Sequence, residues 1–240
     1  MKVLITLLLF TLSVHAAKLP PKWRFEYDYG ITQSKYEEFQ DTIVFTPTNI
    51  TQRSDYHQFI FQYYLLPPWI DLSLGLSTTG TNVMKPSEES KQFQYLTAYV
   101  NLGFVIPISD YWHIKLVAER FFTTMVVKDD KFGFRNLSGN QVYPEIEWLP
   151  FGADIFFQMS PYFKFPLWSD VGGRKETTVG LKFKFPLGSE RNIKFPAYAY
   201  QSSILLKIFY SKMELTFERP GFISSEMKVD QVGATIGFNF

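Results

Sequence analysis

Hydrophobic and polar residues alternate one for one along much of this chain, most cleanly over its last eleven residues. From Asp230 onward Val232, Ala234, Ile236, Phe238 and Phe240 take every second position, with Gln231, Gly233, Thr235, Gly237 and Asn239 between them. A period of two puts the first set on one face of a strand and the second on the other. The same alternation holds from Trp23 to Ile31, where Trp23, Phe25, Tyr27, Tyr29 and Ile31 oppose Arg24, Glu26, Asp28 and Gly30. It recurs over His57 to Leu66, Trp69 to Ser77, Tyr95 to Ile106, Trp112 to Val127 and Val142 to Trp148. Ala153 to Ser160, Thr178 to Phe185 and Tyr198 to Phe217 complete the set, so the pattern predicts ten strands. Pro144 forfeits a ladder bond, which predicts a bulge or kink in its strand. Tyr198 to Phe217 reads as one long strand whose outer part, Lys212, Glu214 and Thr216, leaves an apolar layer for water.

The connections alternate in length. Pro67-Pro68, Pro107 to Asp110 and Leu149 to Gly152 are short turns. Thr32 to Asp55, Thr78 to Gln92, Lys128 to Asn140, Phe165 to Lys175 and Glu218 to Val229 are longer, charged segments expected to be loops. A further arm at Thr42 to Phe45 would raise the count to twelve, and eight is the other even number in range. No helical run long enough to cross a bilayer follows residue 16, which leaves strands as the crossing elements.

A terminal Phe preceded by alternating apolar positions resembles the C-terminal strand of bacterial outer-membrane β-barrels. The resemblance implies an all-β, transmembrane, antiparallel up-and-down barrel over residues 17–240, located in the outer membrane. It implies outer-membrane lipid as the surrounding medium. It also makes Phe240, Phe238 and Ile236 the signal read by the barrel assembly machinery. Met1 to Ala16 fits a cleaved signal peptide: a positive start, an apolar run around Leu7 to Phe10, then Val14-His15-Ala16. The chain has no Cys, so no disulfide supports the fold. Its net charge of +1 gives no electrostatic case for nucleic acid.

Three features place the apolar face toward lipid and the polar face inside. Gly30, Gly75, Gly103, Gly180, Gly233 and Gly237 all fall on the polar face, where a crowded interior favours missing side chains. Charges of both signs share that face: Arg24, Glu26, Asp28, Lys115, Glu119, Glu145, Glu147, Lys182, Lys184 and Lys207 are the candidate lumen residues. Confined charges need partners, and Glu145 with Glu147 would neutralise Lys182 and Lys184. Trp69, Trp112 and Trp148 stand at turn ends of the apolar face, as in an interfacial aromatic girdle. Tyr64, Tyr95, Tyr99, Tyr143 and Tyr162 would fill much of a ten-strand lumen.

Catalytic motifs are sparse. Beyond residue 16 the histidines are His57 and His113, so a His/Cys metal site is not expected, and no cofactor is implied. Neither His begins the His-x-Ser pair of outer-membrane lipid hydrolases. Asp55-Tyr56-His57 resembles the Asp-x-His half of the omptin-type protease site, but the chain has no Asp-x-Asp for the other half. Asn49-Ile50-Thr51 and Asn136-Leu137-Ser138 match the glycosylation pattern and are read as chance matches. Three functions stay open: a structural or surface-interaction barrel with a largely side-chain-filled lumen, a narrow pore for small solutes, and a hydrolase at the rim near Asp55 and His57.

Overall fold

The computed structural model describes residues 22–39, 49–66, 69–86, 92–109, 111–128, 132–150, 158–170, 174–187, 202–217 and 224–240. Its elements are β1 (Trp23–Phe39), β2 (Asn49–Leu66), β3 (Ile70–Pro86), β4 (Gln92–Ser109), β5 (Trp112–Lys128) and β6 (Phe132–Trp148). They continue with β7 (Gln158–Lys164), the two-residue β8 (Trp168–Ser169), β9 (Arg174–Pro186), β10 (Ser203–Phe217) and β11 (Ser224–Asn239). Neighbours pair antiparallel in sequence, and β1 pairs with β11 to close the sheet on itself. Closure removes both free edges, the condition for a sheet to cross a bilayer.

Eleven segments make ten staves, because β7 and β8 are two parts of one. Glu145 on β6 faces Lys164, whereas Val142 faces Trp168, so three residues on β6 oppose four on β7 and β8. The extra residue lies beside Pro144, which still keeps its regular partner Leu116 on β5. The bulge expected at Pro144 is therefore present, on the β7 side, where the absent N–H would otherwise go unanswered.

The register fixes the barrel's tilt. An inward-facing row can be followed from Glu147 through Tyr162, Gly180, Phe209, Gly233, Gly30, Tyr56, Thr79, Tyr95 and Met125. It returns to β6 at Arg135, and 147 less 135 is a displacement of 12 residues. Such a stagger tilts the strands by roughly 40°. A 17-residue strand such as β1 then spans about 44 Å along the axis, far more than the ~25 Å apolar band of an outer-membrane barrel.

The surplus length is used in a particular way: the two faces exchange polarity. On β10 the outward row runs Ile204, Leu206, Ile208, Tyr210 and then Lys212, Glu214, Thr216. The inward row runs Ser203, Leu205, Lys207, Phe209, Ser211 and then Met213, Leu215, Phe217. β11 repeats this, with outward Val232 giving way to Asp230 and Lys228, and inward Gln231 giving way to Val229 and Met227. On β1, outward Ile31 is followed by Gln33 and Lys35, and the inward row ends on Tyr36. Near the termini the wall is apolar outside and polar inside, as lipid requires. Beyond that level β10 and β11 are polar outside and apolar inside, like a soluble barrel, while β6 keeps the exposed Phe134 outside. The start of β1, the end of β11 and the tight turns from Leu66 to Ile70 and from Ser109 to Trp112 share the first end, which is read as periplasmic and the second as external, although the longest connection, from Pro186 to Ser203, is also at the first end.

Several expected loops are accordingly strand. Thr32 to Phe39, Asn49 to Asp55, Thr78 to Pro86, Phe132 to Asn140 and Ser224 to Val229 all lie in the wall. β10 is one continuous strand through Ser211, as expected. The predicted start of a strand at Ala153 and the arm at Thr42 to Phe45 lie outside the described residues, as do Pro67-Pro68 and residues 1–21. Near the polarity change β3 bulges against β2, with two steps from Ser54 to Tyr56 opposing four from Val83 to Thr79, and Gly80 within the bulge adopts φ 79°, a conformation few side chains tolerate.

Candidate functional site

All ten candidate lumen residues line one polar cavity of about 210 Å³ in the periplasmic half. It extends from Lys184, Ser203 and Asn239 near the termini up to Tyr56, Tyr99, Arg174 and Gln231. Alternation in β1, β5, β6, β9 and β10 aims these side chains inward together. The small residues leave room for the large ones. A Cβ on Gly75 would run into the Tyr99 ring, one on Gly103 into the Lys115 chain, one on Gly180 into Tyr162 and one on Gly233 into Phe209.

The charges are organised into local groups. Glu26 on β1 accepts from Arg24 on its own strand and from Lys207 on β10. Lys182 on β9 reaches past β7 to Glu145 and lies 3.3 Å from Glu147, both on β6. Ser160 donates to Glu147, and His113 stands 4.0 Å from it. Lys115 donates to Asp71 at 2.8 Å. Highest in the cavity, Arg174 lies 3.3 Å from Glu119 and 2.6 Å from Glu176, while Gln141 donates to Glu119 at 2.6 Å. Lys182 also sits 4.7 Å above the Tyr162 ring, and Lys164 lies 4.8 Å above Tyr143. Buried in this way, each ion pair must offset a desolvation cost, which the additional hydroxyl, amide and ring contacts help to do. Asp28 lies 5 % exposed and its Oδ1 has no hydrogen-bond partner; Lys184 lines the cavity near its mouth.

Above the cavity the lumen is closed by an apolar plug absent from the sequence-based expectation. Tyr36, Ile50, Phe93, Tyr95, Phe121, Met125, Leu137, Leu215, Phe217, Met227 and Val229 pack into one cluster, each 6 % exposed or less. They come from β1, β2, β4, β5, β6, β10 and β11, most of the way round the barrel. Glu38 caps the cluster, accepting from the Tyr36 hydroxyl at 2.6 Å and from Arg135 at 2.9 Å. Beneath it, Thr32, Ser54 and Thr79 close a buried hydroxyl triangle with edges of 2.9 to 3.1 Å. The signal for the plug was present in the sequence as period-two alternation of reversed phase, Met227 and Val229 between Glu226, Lys228 and Asp230.

Asp55 and His57 do meet, at 3.1 Å, and His57 Nδ1 lies 2.8 Å from the Tyr27 hydroxyl. A neutral imidazole satisfies both bonds by donating from Nε2 to Asp55 and accepting at Nδ1 from Tyr27. The group is not at the rim. It lies on the outer wall where the apolar belt ends, beside the Tyr29 ring, and β2 runs on to Asn49. Among the described residues no group of three His, Cys, Asp or Glu side chains is placed to hold a metal ion.

The girdle residues are where the apolar face meets the periplasmic end. Trp112 and Trp148 stack with centroids 6.1 Å apart, and Trp23 packs on Phe61 and Tyr63 at 4.9 and 4.3 Å. Phe238 and Ile236 face outward on β11 opposite Phe25 and Tyr27, and Phe240 exchanges two 2.9 Å backbone hydrogen bonds with Trp23.

No family model and no curated protein matches this sequence. Among solved structures, the outer membrane protease OmpT from Escherichia coli superposes with a TM-score of 0.52 at 10% identity, over 92% of this chain and 97% of that one. Neisserial surface protein A aligns at 0.36 and 6% identity, covering 90% of this chain and 97% of its own. OprG from Pseudomonas aeruginosa aligns at 0.33 and 12%, covering 93% and 100%. The last two scores are too low to bear on the comparison, and the first is a likeness of fold. With its closed antiparallel wall, apolar outer belt and polar lumen, the chain has the fold of the Gram-negative outer-membrane β-barrels.

Proposed function

We propose that this chain is a non-conducting barrel whose external half stands in water as a rigid mount for the segments joining its strands there, with a structural or surface-interaction role. The observation that carries this reading is the apolar plug. Phe93, Phe121, Met125, Leu215 and Met227 are 2 % exposed or less at the level where a channel would have to continue. An ion crossing that layer would lose its hydration with no polar group to replace it. Glu26, Asp71, Glu119, Glu145, Glu147 and Glu176 are each engaged by a cation below the plug, which suits a load-bearing network better than a selectivity filter. Purified full-length protein in planar bilayers is expected to show no channel events. Stable single-channel steps in the untreated protein would favour the narrow pore instead.

Residues 1–16 act in this reading as an export signal removed before assembly. The assembly machinery then recognises Ile236, Phe238 and Phe240. Deleting Phe240 removes its two backbone bonds to Trp23 and the outermost aromatic of the closing seam. Expressed in a Gram-negative host, the deletion is expected to lower the membrane-inserted fraction several-fold, read by heat-dependent gel mobility. Insertion at the full-length level would remove the signal role.

A further inference from the structure

The wall loses its ladder between β7 and β9. The β7–β9 ladder ends at Lys164 opposite Thr178. Beyond it, the β7 side stays with β6, through Leu167 to Val142 at 2.9 Å and Asp170 to Asn140 at 3.1 Å. The β9 side stays with β10 up to Arg174 opposite Leu215. The two lips thus follow different neighbours. Their outer surfaces carry Phe163, Leu167, Trp168 and Val179, 41 to 57 % exposed, just below the polar Thr177 and Lys175. The break therefore lies at the external membrane interface, from the level of Ser211 below the plug up to that of Met213 and Leu215 within it.

We propose that this break is a lateral port that seats the head group of an anionic single-chain amphiphile in the lumen while its chain stays among the lipids. Hydrogen-bond accounting selects the sign of the head. Lys164, at the lower corner of the break, lies within 4 Å of no carboxylate among the described residues; it stands over the Tyr143 ring and its charge acts on Glu145 and Glu176 only at longer range. Arg174, on the β9 lip, is 6 % exposed with its Nε unanswered. The acids beside them are occupied: Glu119 by Arg174 and Gln141, Glu176 by Arg174 and Thr178. The chamber's carboxylate oxygens without a hydrogen-bond donor, Asp28 Oδ1 and Asp71 Oδ2, are on β1 and β3, three and five strands from β9. Donors are in surplus at the port, and a carboxylate or phosphate monoester supplies acceptors. With the lumen closed above by packed side chains, the exposed apolar surface next to that position is the outer face of the lips.

The test uses full-length barrel in phosphatidylcholine nanodiscs titrated with a dansyl fatty acid, its methyl ester, dodecyl phosphate and inorganic phosphate. The fatty acid is expected to bind saturably and the ester at least about tenfold more weakly. Lys164→Gln is expected to weaken the acid about fivefold or more. A Leu167→Cys/Thr177→Cys pair joined by a reducible bis-methanethiosulfonate should block binding, and reductant should restore it; heat-dependent gel mobility confirms that both variants are folded. Competition by dodecyl phosphate alongside the fatty acid supports one head-group chemistry drawn from either lipid source. Equal displacement by inorganic phosphate, equal binding of the ester, or binding unchanged by the bridge would each overturn the port.

Discussion

Leu215→Lys is expected to destabilise the barrel by about 4–5 kcal/mol, whereas Glu214→Leu, one residue away, should change stability by about 0.5 kcal/mol or less. Leu215 is fully buried in the plug, and a lysine there would place an unpaired ammonium among Tyr36, Phe217 and Met227. Glu214 faces water on the same stretch of β10, 4.0 Å from the exposed Lys212, a pair worth little. Three repeats of the alternation nearer the termini, from Glu214 to Ile208, the rule reverses. Ile208 faces lipid, and Ile208→Lys is expected to cost about 2–4 kcal/mol, while its inward neighbour Lys207 is already charged and paired with Glu26. Urea unfolding of the protein in lipid vesicles, followed by Trp fluorescence, measures all three variants. Similar costs for Leu215→Lys and Glu214→Leu would mean that β10 has no apolar inner face at that level.

The second large effect concerns the charge groups in the periplasmic half. Lys182→Met should cost about 3–5 kcal/mol, because it leaves Glu145 and Glu147 facing each other without their shared cation. Adding Glu145→Gln and Glu147→Gln to Lys182→Met should recover most of the loss, since the repulsion and the uncompensated charges disappear together. The same unfolding assay reads the recovery. A triple variant no more stable than Lys182→Met alone would show that the lysine acts through packing on Tyr162, 4.7 Å away, rather than through charge.

Sequence periodicity carried the lower half of the molecule and missed the upper half for one physical reason. Alternation identifies two faces but not the medium each one meets. From Trp23 to Ile31 and from Val232 to Phe240 the apolar set faces lipid, and those strands were placed correctly. From Asp230 back to Ser225 the same strand continues with Met227 and Val229 turned inward and Glu226 and Lys228 turned outward, so a search for an outward apolar set ends at Val232. Thr32 to Tyr36 was lost in the same way, its inward positions Thr32, Ser34 and Tyr36 being small or polar until the last. The cavity-lining residues were legible because their parity is shared with the well-patterned half. The pairing of Lys182 with Glu145 and Glu147 was expected from their shared parity and is present across β7, but those of Lys207 with Glu26, Lys115 with Asp71 and Arg174 with Glu119 were not, since they depend on the register between strands far apart in the chain. The broken stave was partly legible in Pro144; that the ladder to β9 would end at Lys164 was not.

The exchange of faces along each strand is most directly tested on β10, because the chain contains no cysteine and single cysteines can be introduced one at a time. Full-length variants with Cys at positions 204 to 217 in lipid vesicles would be treated with a water-soluble, membrane-impermeant maleimide. Fast labelling is expected at 212, 214 and 216, with protection at 204, 206, 208 and 210 by lipid and at 213, 215 and 217 by the plug. Labelling at 213, 215 and 217 as fast as at 212, 214 and 216, or protection of the whole outward row, would contradict a barrel that changes from membrane wall to water-exposed wall near Tyr210.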